Sequence, residues 1–125
     1  MAIDVNNKIA NTLESEKVDL AFIALHGTYG EDGAVQGLLE YAKIPYTGSG
    51  LLTSAVAFNK VMSKELFNFH GIPNPNFQVF RKDFGKNIRR VLDLPVVVKP
   101  SDQGSSIGIS IVREEKHWKE AVEKA

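Results

Sequence analysis

The stretch V96-V-V-K-P-S-D-Q-G-S-S-I-G-I-S-I-V112 decides how this chain is read. A run of β-branched residues ends on Lys99 and Pro100, passes through small polar residues with two glycines, and resumes as an alternating apolar segment. That order predicts strand, loop, strand. Gly104 and Gly108 can take backbone angles closed to other residues and let the main chain approach a ligand closely. Successive amides at 103–106 are placed to form an anion-cradling concavity, with Ser105 and Ser106 as hydroxyl donors and Lys99 as a point charge. No Gly-Lys-Ser/Thr opens a helix here, so the Walker pattern is excluded. Taken alone, the segment also fits a plain Gly/Ser hairpin.

Working outward, 94–100 reads as the first strand and 107–112 as its partner. A last helix from about Glu114 carries Trp118 and Ala121 inward, and R113-E-E-K116 is its solvated start. Upstream, Phe58, Val61, Met62, Leu66 and Phe69 form one amphipathic stripe, stopped by Gly71 and Pro73 with His70 as a cap. Segment 76–80 reads as a strand, and Ile88, Val91 and Leu92 as a short helix. Lys64, on the face of Lys60, is expected to be solvent-exposed.

The first fifty residues have the rhythm of a parallel α/β sheet. A helix through Ile9 and Leu13 follows an Asp4 cap. Then comes a buried strand at 18–25, a second helix through Val35, Leu38, Leu39 and Ala42, and a short strand at 44–47. Between strand and second helix lies H26-G-T-Y-G-E-D-G33, the position where open parallel sheets place ligands. Asp32 is expected to cap that helix from beside Gly33. Tyr46 and Thr47 are packing residues or the wall of a substrate pocket. The Gly/Ser turn at 48–54 marks a boundary.

The chain has 125 residues, 43% hydrophobic and 24% charged, with fifteen basic and fifteen acidic side chains. No global field favours nucleic acid or an anionic membrane. With no cysteine, disulfides and thiolate metal sites are excluded. No secretory signal or membrane-length apolar run is legible, which makes the cytoplasm the expected compartment. No carboxylate pair stands on a strand end, and no metal site is expected. A helix without a preceding strand at one end, and an uncapped helix at the other, suggest a piece of a longer chain.

Three segments together, LHGTYGEDGAVQGLLEYAKIPYTGSG, SAVAFNKVMSKELFNFHGIPNPNF and LPVVVKPSDQGSSIGISIV, resemble the D-alanine–D-alanine ligases of the ATP-grasp superfamily. The resemblance implies an α/β fold. Residues 1–54 would be the end of a parallel-sheet N-terminal (pre-ATP-grasp) substrate-binding domain. Residues 55–125 would be the first half of the ATP-grasp central α+β domain. It implies joining of two D-alanines through an acyl phosphate, for peptidoglycan precursors. Lys60 and Lys99 match the lysines that hold ATP phosphates, and Gln103, Gly104, Ser105 and Ser106 match the loop that closes over them. Ser105 also matches a serine that positions the reacting groups, and His26 a histidine near the D-alanine pocket.

The resemblance further implies ATP and Mg²⁺ (or Mn²⁺) as cofactors, the metal's ligands lying outside this sequence, and homodimers through the N-terminal domain. Asn59 stands where the family often has Asp, and Gln103 where Glu is common. The family's first strand with its glutamate, its adenine pocket, its metal ligands and a reaction-centre arginine have no match here. The isolated chain is therefore expected to be inactive. Two other readings stay open: a non-catalytic nucleotide- or partner-binding module on the same scaffold, and a D-alanine–D-lactate or D-serine ligase.

Overall fold

The computed structural model describes residues 1–81 and 88–125. The chain divides into two compact units, Met1–Ala55 and Val56–Ala125.

In the first unit, α1 (Ile9–Ser15) and α2 (Ala34–Tyr41) pack on a core of Leu13, Val35 and Leu39. Leu39 is 2% exposed; burying such a side chain is worth about 1.5–3 kcal/mol. Asp4 does not cap α1: the helix begins after Lys8, whose amide is taken by Asn6 Oδ1 at 2.8 Å. Asp32 does serve α2, accepting the first-turn amide of Ala34 at 3.0 Å. Lysines follow the C-caps of both helices in the left-handed region, Lys17 at φ 49° and Lys43 at φ 58°. There Val18 and Ile44 amides reach back to Leu13 and Leu39 carbonyls, the usual way to satisfy a helix end.

The expected buried strand at 18–25 is corrected. It forms a single parallel bridge, Ala21 to Tyr46, with amide–carbonyl bonds from Ala21 to Pro45 and from Thr47 to Ala21. Ala21, Ile23 and Leu25 turn toward the core, whereas Leu20 and Phe22 are 64% and 79% exposed. A continuous apolar run implies cover on both faces; among the described residues, only one face is covered.

Helix α3 (Leu51–Phe58) was not expected, because 48–54 reads as a turn by composition. The single stripe from Phe58 to Phe69 is two helices, α3 and α4 (Lys60–Phe69), interrupted at Asn59. None of α4's side chains is fully buried. His70 is the C-cap residue of α4, followed by Gly71 at φ 67°.

In the second unit, β1 (Val96–Val98) and β2 (Ser110–Val112) pair antiparallel, with Val97 opposite Ile111. A 3₁₀ turn (Glu115–His117) leads into α5 (Trp118–Lys124). Val112, Trp118 and Ala121 form the core, joined by Phe80, Ile88, Leu94, Val96 and Val98. Trp118 also meets the Phe80 ring edge-on, with centroids 5.4 Å apart.

Two further expectations fail here. Residues 76–80 are irregular, and Ile88, Val91 and Leu92 form no helix. Side chains replace the helical ladder: Gln78 Nε2 donates to Arg89 carbonyl at 2.8 Å and its Oε1 accepts from Val91 amide at 2.9 Å. Trp118 Nε1 donates to the Ile88 carbonyl at 2.8 Å. Among the described residues, no helix is long and apolar enough to cross a membrane.

Candidate functional site

The second unit brings Lys60, Lys99 and the 101–106 loop together. Lys99 leaves β1 at its exposed end, and the chain then runs through 101–109 before re-entering β2. Ile107 and Ile109 amides close two tight turns onto Gly104 and Ser106 carbonyls, at 3.2 and 3.4 Å. The left-handed angles fall on Ser105 (φ 52°), Ser106 (φ 62°) and Gly108 (φ 72°), rather than on both glycines. Each such serine costs roughly 1–2 kcal/mol relative to ordinary helical or extended backbone. At Gly108 a Cβ would meet Pro100 Cγ at 2.7 Å, so a side chain there collides with the strand exit. Among the described residues, the amides of Gln103, Gly104, Ser105 and Ser106 donate to no protein acceptor. They remain available to an anion.

Lys60 reaches this loop from α4. Its amide donates to Ser101 carbonyl at 2.9 Å and its Nζ to Gln103 carbonyl at 2.6 Å. Half-burial, then the Lys99 charge, pull the Lys60 pKa below its ordinary value, and Asp102 partly opposes them. The Lys99 charge is thus felt at Lys60. Two cations held near one another beside unspent amides are a place for a multiply charged anion. Lys99 makes no ion pair among the described residues.

Asn59 sets the start of α4. Its Oδ1 accepts the amides of Val61 and Met62 at 3.1 and 3.0 Å. Lys64 is not a free surface cation: its Nζ bonds Asn74 Oδ1 at 3.2 Å and Pro75 carbonyl at 2.9 Å, and lies 5.1 Å from the Phe77 ring centroid. Helical spacing put it beside Lys60, but the segment that follows the helix claims it.

The first unit holds the other motif. His26 is exposed, at the start of a loop with Gly27 (φ 67°) and Tyr29 (φ 69°) in the left-handed region. Both carboxylates of the loop are spent on its own backbone. Glu31 Oε2 accepts from Gly27 amide at 2.6 Å, and Asp32 Oδ2 from Tyr29 amide at 2.8 Å. They are struts, and do not fit a metal. Among the described residues, no group of three or more His, Asp or Glu is placed to hold a cation.

Beneath the loop, Gln36 (5% exposed) donates to Gly30 carbonyl at 2.9 Å, and Gly30 admits no side chain because a Cβ would lie 2.5 Å from Leu25 Cβ. Sequence reasoning passed over Gln36, whose only signal is a polar residue on the buried face of α2. Tyr46 is a brace. Its hydroxyl donates to Glu40 Oε1 at 2.6 Å, which also accepts the Leu51 amide at 3.0 Å. The Tyr46 hydroxyl, then that amide, lower the Glu40 pKa, and Glu40 in turn raises that of Tyr46. Thr47 Oγ1 accepts from Ile23 amide at 3.1 Å.

These features describe a mixed α/β protein with two neighbouring lysines at the foot of a loop poor in large side chains. Two family models match, "D-ala D-ala ligase N-terminus" over residues 2–49 and "D-ala D-ala ligase C-terminus" over residues 65–125. The chain belongs to the D-alanine–D-alanine ligase family.

It is 52% identical over 126 residues to the D-alanine–D-alanine ligase of Geotalea uraniireducens, covering 100% of this chain and 41% of that protein. With the Carboxydothermus hydrogenoformans enzyme the identity is 48%, over 98% of this chain and 41% of the relative. Among solved structures, a D-alanine–D-alanine ligase from Bacillus anthracis aligns with TM-score 0.86 and 38% identity, covering 98% of this chain and 41% of that one. The same enzyme complexed with ATP aligns at 0.83 and 35%, covering 98% and 42%. The chain spans about two fifths of the length of these relatives.

Proposed function

We propose that these 125 residues form part of an ATP-dependent carboxylate–amine ligase that joins two D-alanines for peptidoglycan precursors, in the cytoplasm. Residues 1–54 would close an N-terminal substrate-binding domain, and 55–125 would open the ATP-grasp domain. ATP supplies the phosphoryl group that converts the first D-alanine's carboxylate into an acyl phosphate, which the second D-alanine's amine attacks. In this reading Lys60 and Lys99 neutralise the phosphate charge, and Gln103, Gly104, Ser105 and Ser106 cover the phosphates. Ser105 positions the reacting groups, and His26 lines the D-alanine pocket.

The observation that carries the reading is the meeting of Lys60, Lys99 and the open amides of 103–106 in one place. Phosphoryl transfer asks mainly for positioning and charge neutralisation, and this arrangement offers both. The described residues fit no metal, so no step is assigned to one. We place the Mg²⁺ ligands, like the rest of the nucleotide site, outside these 125 residues, and expect dimerisation through the N-terminal domain.

The test has two arms. ATP titrated into the chain should bind saturably, and Lys99→Met should weaken binding about tenfold, the factor set by 1.4 kcal/mol. A phosphate-release assay with ATP, Mg²⁺ and D-alanine should show no turnover by the chain alone. Absence of ATP binding, or turnover matching that of a full-length ligase, would overturn the proposal.

A further inference from the structure

The break between α3 and α4 gives Lys60 two bonds to the loop. Asn59 is extended, at φ −81° and ψ 105°, so Lys60 begins a new helix. The amide of a first helical residue has no intrahelical acceptor. In an unbroken helix the Lys60 amide would bond the carbonyl four residues back, that of Val56. Here Ser63 Oγ sits 2.8 Å from that carbonyl, and 3.4 and 3.1 Å from those of Ala57 and Asn59. Asn59 Oδ1 meanwhile takes the next two amides. The Lys60 amide is left to Ser101 carbonyl and its ammonium to Gln103 carbonyl, so one residue grips the loop at two points, two residues apart.

We infer that Lys60 is a two-point clamp on the loop, with unlike halves. The amide bond to Ser101 is a fixed pivot, set by Ser63 and Asn59 as positioning residues. The ammonium bond to Gln103 is exchangeable: an arriving polyphosphate takes the ammonium, frees the Gln103 carbonyl, and lets 103–106 rearrange about residue 101. This rests on the phosphate-binding reading above and adds what holds the loop before ligand arrives. A carbonyl is the weaker acceptor and a polyphosphate the stronger one for the same cation, so the exchange runs in the stated direction. Lys99 and the burial that lower the Lys60 pKa also make that ammonium gain from a new anionic partner.

The experiment is NMR on the ¹⁵N-labelled chain, with inorganic tripolyphosphate as the probe. Without ligand, Lys60→Met should shift the Gly104 ¹⁵N resonance, whose peptide carries the Gln103 carbonyl. It should leave hydrogen exchange at the residue-60 amide within about twofold of the original chain. Lys60→Arg, which keeps a charged donor, should leave Gly104 near its original position. Ser63→Ala should speed exchange at the residue-60 amide about tenfold, equivalent to 1.4 kcal/mol. Tripolyphosphate should move Gly104 in the original chain toward its position in Lys60→Met, while the residue-60 amide stays protected.

The indole resonance of Trp118, bonded to Ile88 carbonyl, reports whether each variant is folded. A folded Lys60→Met chain with Gly104 unmoved would sink the clamp, as would Ser63→Ala without effect on residue 60. If tripolyphosphate moves no signal of Lys60, Lys99 or 101–106, the phosphate reading fails instead. The ligand-free variants still decide the clamp.

Discussion

Replacing Asn59 with alanine tests the corner on which the site is built. The side chain satisfies two first-turn amides of α4, one partly buried at 3.1 Å and one exposed at 3.0 Å. An N-cap Asn→Ala change costs about 0.5–2 kcal/mol. With one bond shielded and the other open to water, the middle of that range applies, about 1 kcal/mol. For a cooperative unit of this size, such a loss lowers the melting temperature by roughly 4–8 °C.

The sequence has one tryptophan, Trp118, which lies in the core of the Val56–Ala125 unit. Its fluorescence therefore reads the unit that contains the cap. Urea unfolding followed at Trp118 should show a lower midpoint with an unchanged slope. Asn59→Asp should restore the midpoint or exceed it, because a carboxylate caps equally well and favours the positive helix start. If Asn59→Ala leaves the midpoint in place, or Asn59→Asp is as damaging, the cap does not organise this corner.

Three other outcomes follow from the geometry. Gly30→Ala drives a Cβ into Leu25 and should destabilise the first unit by about 1–3 kcal/mol, read as faster hydrogen exchange at Val35 and Gly37 amides; unchanged exchange would refute the close packing. Tyr46→Phe removes the largest cause of the lowered Glu40 pKa and should raise it toward the ordinary 4.5, seen by carboxyl NMR titration; the Leu51 amide keeps the return partial.

Lys60, whose pKa is lowered below 10.5 in the folded chain, disfavours folding while protonated. This contribution is fully present below the folded pKa and is relieved as pH rises toward 10.5. ATP affinity should run the opposite way, falling with pH over the same window, and Lys60→Met should flatten that fall. Identical pH profiles for the two chains would count against Lys60 as a phosphate partner.

Much of the architecture was legible because local periodicity reports it. The spacing of Ile9 and Leu13, and of Val35, Leu38 and Leu39, gave α1 and α2. The Val-rich run before Lys99 and the alternation after Gly108 gave the hairpin. Trp118 and Ala121 were placed inward correctly. The failures share a cause. A stripe through Phe58 and Val61 looks continuous whether or not Asn59 interrupts the hydrogen bonds. Ile88, Val91 and Leu92 carry a helical pattern, yet Gln78 and Trp118 claim the backbone groups of Ile88, Arg89 and Val91. Lys64 looked solvated until Asn74, Pro75 and Phe77 folded over it.

By itself the sequence determined the family, the hairpin, most helices and the residue types able to meet phosphate. These depend on motif order and on contacts between neighbours a few positions apart. Only the tertiary structure decided that Lys60, forty-three residues before Gln103, lands on its carbonyl, and that Lys99 stands near enough to shift its pKa. It also decided which amides the structural carboxylates Glu31 and Asp32 serve, those of Gly27 and Tyr29. The Lys60 contact joins groups far apart in sequence, and the Glu31 and Asp32 bonds depend on the left-handed backbone of their loop; no periodicity along the chain encodes either.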